Sequence, residues 1–298
     1  MKKYNLGILS PSNIAFNRFL PSLKKSEYFN YTGLAVANKE EWFKTDDKDI
    51  EDDVINKEIE KTKVFTGKFN GDIFYSYEDL LNSDNIDVVY IPLPPALHYK
   101  WAKKALEKGK HILLEKPFTT SKDDTFNLID IAVKNNLAVF ENYMFTYHSQ
   151  INTIRNMIDS GEVGDIRGYK MTFGFPMRGS KDFRYIKELG GGALLDCGGY
   201  PIKLANILLG DTAKVVYSKL NYLEKFDVDI FGSAVLENNN GITAYVTFGM
   251  DNSYQCELEV WGSKQTIIAT RVFTAGTGFN PELIIKTSTD TKTIILES

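Results

Sequence analysis

The chain has few of the residues that build metal sites and disulfides. Its 298 residues include two cysteines, Cys197 and Cys256, and three histidines, His98, His111 and His148. None stands at the spacing of a CxxC or HExxH ligand set, so no metal is expected, and two distant cysteines suit a reducing cytoplasm rather than a disulfide framework. There is no dense lysine and arginine block, and the formal net charge of -4 argues against a nucleic-acid partner. No apolar run approaches the ~20 residues that span a bilayer, so no membrane partner is expected either. The opening MKKYNLGILSPS is too briefly apolar for a signal peptide and reads as a first strand. A hydrophobic fraction of 43% and a charged fraction of 25% suit a soluble, cytoplasmic globular protein with a substantial core.

Short apolar runs alternate with amphipathic stretches through the first half, as in βαβ units. Strands are expected at Asn5 to Leu9, Tyr31 to Ala37, Val88 to Ile91, His111 to Leu114 and Leu137 to Phe140. Helices are expected from about Asn13, over LHYKWAKKALEKGK with Gly109 closing it, and from Ser121 to Asn135. That pattern predicts a doubly wound parallel sheet of the Rossmann type over residues 1–142. The acidic stretch from Lys39 to Lys63 reads as a solvated loop or surface helix. Residues 143–298 change character. Helices at about Ser149 to Ser160 and Gly192 to Leu209 are followed by FDVDIFGSAVLE, GITAYVTFGM, QCELEVWGS, QTIIAT, ELIIKTST and TKTIILES, with turn signals such as NNNG and GSK between them. The expectation is an α+β domain with an open, mostly antiparallel sheet.

Four segments carry candidate chemistry. The first strand–turn–helix, GILSPSNIA, is where a dinucleotide pyrophosphate would meet helix amides, but Ser10 and Ser12 stand where glycines are usual. The turn reads equally as an ordinary βα connection or as a phosphate site in which serine hydroxyls donate. After the second strand come Asn38 and Lys39, without the acid that holds a ribose diol. This leans towards NADP(H), although Lys39 also reads as a merely solvated lysine. Glu115-Lys116-Pro117 follows the apolar strand HILL, at the strand end where ligands bind in such sheets, though alone it also reads as a surface lysine. In GGGALLDCGGYPIKLANILLG, helical spacing aligns Asp196, Tyr200 and Lys203 on one strip, either as a proton-handling group or as a surface patch with an internal ion pair. Cys197 reads as a small buried residue rather than a nucleophile.

The stretches DVVYIPLPPALHYKWAKKALEKGKHILLEKP, ENYMFTYHSQ, SGEVGDI and ELGGGALLDCGGYPIKLANILLG together resemble the Gfo/Idh/MocA family of NAD(P)-dependent oxidoreductases in order and spacing, over most of the chain. The resemblance implies hydride transfer between a nicotinamide and a carbinol or ketone carbon of a sugar or nucleotide-sugar. Lys116 matches the lysine that orients the substrate oxygen, Asp196 the active-site aspartate, and Tyr200 the general acid/base. Arg184 and Lys203 are the expected substrate contacts. The expected cofactor contacts are Ser10, Ser12, Asn13, Ile14, Asn38, Lys39, Pro92, Leu93, His98, Glu115 and Lys116. Tyrosine at position 200 and the opening IAFNRFLPSL look more like keto-sugar reductases and dihydrodiol or xylose dehydrogenases. The family also implies a homodimer or homotetramer joined through the open sheet. Three departures stand out: the two serines, Pro95 where relatives carry asparagine, and strand-like TKTIILES where many carry a long helix. A non-catalytic NAD(P)-sensing protein on the same fold, or a dihydrodiol or pentose dehydrogenase, are the rival readings.

Overall fold

The computed structural model describes residues 3–41, 48–179, 182–276 and 278–297. Contacts divide them into two compact units, one ending at Asn142 and one beginning at Tyr143.

In the first unit β1 (Tyr4–Leu9), β2 (Phe29–Ala35), β3 (Asp72–Phe74), β4 (Val88–Ile91), β5 (His111–Leu114) and β6 (Val139–Glu141) form a parallel sheet in the order β3-β2-β1-β4-β5-β6. This is the Rossmann-type sheet expected from the strand and helix alternation. The chain reverses its direction of winding between β1 and β4, and the crevice at the carboxyl ends of those two strands is the usual ligand position. Both faces are covered, which is why β4 is apolar at every position. Leu6, Ile8, Leu34 and Tyr90 pack on one face with Leu20, Phe65 and Phe69. On the other, Val89, Ile91, Ile112 and Leu114 pack with Leu80, Trp101, Leu106 and Leu128.

The helices are α1 (Leu20–Leu23, entered through a π-helical turn at Ala15–Phe19), α2 (Lys48–Phe69), α3 (Tyr77–Asn82), α4 (Pro95–Glu107) and α5 (Lys122–Lys134). The acidic stretch after Lys39 thus leads into a long helix, anchored by the buried Phe65 and Phe69. Its residues 42–47 lie outside those described. The short β3 and α3 are absent from the sequence expectation. Pro95 opens α4 at its first turn, where a missing N–H costs nothing.

The second unit contains α6 (Ser149–Asp159), β7 (Ile166–Gly174), a π-helical turn at Leu194–Gly198 running into α7 (Gly199–Leu209), and then β8 (Lys214–Tyr222), β9 (Asp229–Glu237), β10 (Thr243–Gly249), β11 (Gln255–Gly262), β12 (Thr266–Ala269), β13 (Glu282–Lys286) and β14 (Thr291–Ile295). Its eight strands are ordered β14-β13-β12-β11-β7-β10-β9-β8. Every neighbouring pair is antiparallel except β7 and β10. Tyr169, Met171, Phe173, Val246, Phe248 and Leu258 line the inner face, beneath Leu204 and Ala205 of α7. The outer face carries the alternate residues. There Val235 lies between Tyr217 and Tyr245, Lys170 pairs with Glu259 at 3.0 Å, and Trp261 is 57% exposed.

Candidate functional site

In the first unit, the turn after β1 keeps the backbone form of a glycine turn without the glycine. Ser10 has φ +80°, a left-handed conformation that costs an L-residue roughly 1–2 kcal/mol. Two bonds hold it there. Its N–H donates to the Ala35 carbonyl at 2.9 Å, and its hydroxyl hydrogen-bonds the buried Tyr77 phenol, whose pKa burial pushes well above the usual tyrosine range. The hydroxyl therefore satisfies a group that glycine would leave unpaired. Ser12 Oγ accepts from the Ala15 N–H at 3.2 Å, so its own O–H is directed elsewhere. Asn13 and Ile14 follow as the exposed first helical residues, with amides that a first turn leaves unpaired inside the helix. Capped helix, exposed amides and a donating serine together fit a pyrophosphate.

After β2 come two carboxylates: Glu40 is exposed, whereas Glu41 is already engaged. It is buried and accepts from the N–H groups of Tyr77 at 2.8 Å, Glu78 at 2.9 Å and Asn38 at 3.1 Å. Asn38 Oδ1 in turn accepts from the Glu41 N–H at 3.0 Å, while Lys39 is exposed.

The loops after β4 and β5 are tied by His98. Its ring is fully buried, with Nε2 2.8 Å from the Leu93 carbonyl and Nδ1 2.8 Å from the Pro117 carbonyl. Expected as a cofactor contact, His98 instead sits beneath the loops, fixing Pro92–Leu93 to the Lys116–Pro117 turn, whose peptide bond is cis. Carbonyls only accept, so no neutral tautomer satisfies both, yet burial holds the imidazole pKa below its ordinary range. Glu115 is similarly occupied, since its Oε1 accepts from the Tyr90 hydroxyl and the Asn142 amide, both at 2.6 Å.

In the second unit, the glycines of ELGGG set the helix that carries the remaining candidates. Gly192 has φ +122°, and a Cβ there would collide with Asp229 Oδ1. The gap lets Asp229 accept from the Leu194 N–H at 2.7 Å and from Ala193, capping the helix from a distant strand. Asp196 and Arg184, expected as separate site residues, are joined: Arg184 Nε donates to Asp196 Oδ2 at 2.8 Å, and Nη1 to Asp182 at 3.0 and 3.2 Å. One guanidinium is thus shared between two carboxylates.

Tyr200 faces elsewhere. It is 7% exposed and ringed by Tyr143 and Phe173, each with centroids 5.1 Å away, and by Phe145 and Phe273 at 5.8 and 6.1 Å. The preceding glycines make this possible. A Cβ on Gly198 would press into the Phe248 ring, and one on Gly199 would collide with the Tyr143 hydroxyl. Lys203 is exposed, its ammonium 5.9 Å from the Tyr143 ring centroid. Sequence reasoning missed this aromatic cage, though ENYMFTYHSQ holds two of its four rings, Tyr143 and Phe145. Phe145 and Phe273 also wall a cavity of about 230 Å³ that reaches His148. Among the described residues, no group of three or more His, Cys, Asp or Glu could hold a metal, and no helix is long and apolar enough to cross a membrane.

Comparison with known proteins gives this geometry its setting. Residues 34–143 match the oxidoreductase family model with an NAD-binding Rossmann fold, and residues 151–268 match the GFO/IDH/MocA C-terminal domain. A dTDP-3,4-didehydro-2,6-dideoxy-alpha-D-glucose 3-reductase from Actinomadura kijaniata is 34% identical over 281 residues, covering 94% of this chain and 79% of the relative. The chain belongs to the GFO/IDH/MocA family of NAD(P)-dependent oxidoreductases. Within that family, a NADP(+)-dependent D-xylose 1-dehydrogenase from Haloferax volcanii is 35% identical over 59% of this chain and 54% of its own. A solved 3-ketoreductase from Actinomadura kijaniata, in complex with NADP and TDP-benzene, superposes with a TM-score of 0.89 at 33% identity. It covers 100% of this chain and 85% of that one.

Proposed function

We propose that the protein transfers hydride between NADP(H) and a keto or carbinol carbon of a nucleotide-linked sugar. The likeness to the NADP-bound 3-ketoreductase over the whole chain carries this reading. Bound NADPH supplies the hydride. Ser12, with the amides of Asn13 and Ile14, holds the pyrophosphate. Glu41 is committed to three backbone amides and is thereby removed from the ribose diol, while Lys39 meets a 2′-phosphate. Lys116 polarises the substrate oxygen, and Tyr200 gives or takes its proton. Solved forms of the relative include lysine and tyrosine variants whose positions are separated by the same number of residues as Lys116 and Tyr200. Arg184 orients Asp196 beside the helix. Fluorescence titration tests the cofactor assignment: NADPH should bind at least about tenfold tighter than NADH, a difference of ~1.4 kcal/mol. Equal affinities would remove Lys39 from the site.

The outer face of the second unit's sheet is the place for a second copy of the chain. Its exposed Tyr217, Tyr245 and Trp261 are aromatic, while Lys170 and Glu259 offer both charges to a self-complementary partner. Light scattering should give at least twice the chain mass, and a monomer at micromolar concentration would contradict this.

A second reading, oxidation of a dihydrodiol, takes support from the cavity walled by Phe145 and Phe273. A trans-1,2-dihydrobenzene-1,2-diol dehydrogenase from Xenopus laevis is 29% identical over 62% of this chain.

A further inference from the structure

We infer that Arg178 and Lys225 together hold the substrate's diphosphate, the part of a nucleotide-linked sugar that a free sugar lacks. The pair rests on the nucleotide-sugar reading and adds to it the residues that select such a substrate.

In the second unit a row of aromatic rings leads away from Tyr200. The centroid of Phe173 lies 5.1 Å from that of Tyr200, and the centroid of Phe175 lies 6.1 Å from that of Phe173. One strand period separates the two phenylalanines, and both pack into the core beneath α7. Arg178 sets its guanidinium over the outer ring of the row, 5.0 Å from the Phe175 centroid. A substrate with its reacting carbon at Tyr200 and its diphosphate further along the row therefore meets Arg178.

Tyr185 brings a second cation to the same place. Its hydroxyl accepts from the Arg178 N–H at 2.9 Å, and its buried ring stacks on Phe226 with centroids 4.9 Å apart. The Lys225 ammonium lies 5.1 Å from the Phe226 centroid and 4.0 Å from the Met177 sulfur. Tyr185 thus joins two segments, 175–178 and 225–226, that each present a cation.

Both cations are exposed, and among the described residues neither makes an ion pair. Arg184, the expected substrate contact, is instead shared between Asp182 and Asp196. A guanidinium resting on a ring keeps its in-plane N–H groups, the fork that takes two phosphate oxygens at once. A diphosphate between a sugar and a nucleoside carries two negative charges. One fork and one ammonium match them.

Calorimetry with dTDP on the NADPH-saturated protein tests the pair. Arg178→Ala should weaken dTDP binding at least about tenfold, as loss of a charge-assisted contact does, and leave NADPH affinity within about twofold. Arg178→Lys keeps the charge without the fork and should recover part of the loss. Lys225→Ala should cost about fivefold, and both losses should shrink as salt rises. In steady-state kinetics Arg178→Ala should raise KM for a dTDP-linked keto-sugar with kcat nearly unchanged. Arg155, an exposed cation on α6, is the control, and Arg155→Ala should bind dTDP like the parent. A loss in Arg155→Ala equal to that in Arg178→Ala would reduce the effect to general charge and overturn the site. Parent-like dTDP binding by Arg178→Ala would also overturn it, and would leave the nucleotide-sugar reading standing. If the parent protein binds no dTDP yet oxidises a free sugar or a benzene dihydrodiol, the nucleotide-sugar reading fails and the diphosphate site fails with it.

Discussion

Tyr200→Phe should lower turnover by a hundredfold or more while leaving NADPH affinity almost unchanged. The substitution removes one hydroxyl from a side chain wedged among four aromatic rings, so the packing of α7 survives and only proton transfer is lost. General acid–base catalysis contributes typically about 10²–10⁴-fold. An ordinary phenol keeps its proton until about pH 10. Tyr200 therefore needs a cation, the part proposed for Lys116. Lys116→Met should cost a similar factor, and the double variant little more than either alone, because residues that act as one unit are not additive. Steady-state kinetics of the three variants decide it. Near-normal turnover of Tyr200→Phe would end the assignment, and fully additive losses would separate the two residues.

Asp229→Ala should destabilise the second unit by about 2 kcal/mol. The side chain caps the helix bearing Asp196 and Tyr200, and a lost cap costs up to about 2 kcal/mol when the freed amides are buried. Asp229→Asn keeps one acceptor oxygen and should cost less than half as much. The two variants also differ in pH dependence. Burial holds the Asp229 carboxyl above the usual carboxylate range, so the folded chain binds this proton more tightly than the unfolded chain does. The associated stability is full below the ordinary carboxylate pKa and is lost as pH rises through the higher folded value. Denaturant melts across that window should show the slope in the parent protein and a shallower one in Asp229→Asn. An alanine variant within a few tenths of a kcal/mol of the parent would show that the cap is dispensable.

How far these features could be read from the residues follows from the range of the forces involved. Val88–Ile91 and His111–Leu114 have the expected bounds, because each is a short, mostly apolar run, the first buried at every position. β7 alternates cleanly only over Tyr169–Phe173, too short a signal to mark a strand at the sheet's centre, and that place depends on β10 and β11, about 75 to 95 residues later. The strip of Asp196, Tyr200 and Lys203 was drawn with α-helical spacing. The π-helical turn at Leu194–Gly198 widens that spacing, so Asp196 meets Arg184 while Tyr200 enters the aromatic cage. Local periodicity carries no trace of such a turn, nor of Asp229 reaching back to the helix start. Ser10 illustrates the opposite case. Its departure from glycine was plain, but the compensating bond to Tyr77 needed the fold to bring the two together.

The most direct measurement on the whole account follows one atom. The protein is mixed with NADPH carrying deuterium at the transferred nicotinamide C4 position and with a dTDP-linked deoxy keto-sugar, and the product is analysed by mass spectrometry and NMR. The account predicts one deuterium on the new carbinol carbon, with transfer slowed at least a hundredfold in Tyr200→Phe. A product without deuterium, or no product while NADPH is demonstrably bound, would contradict it.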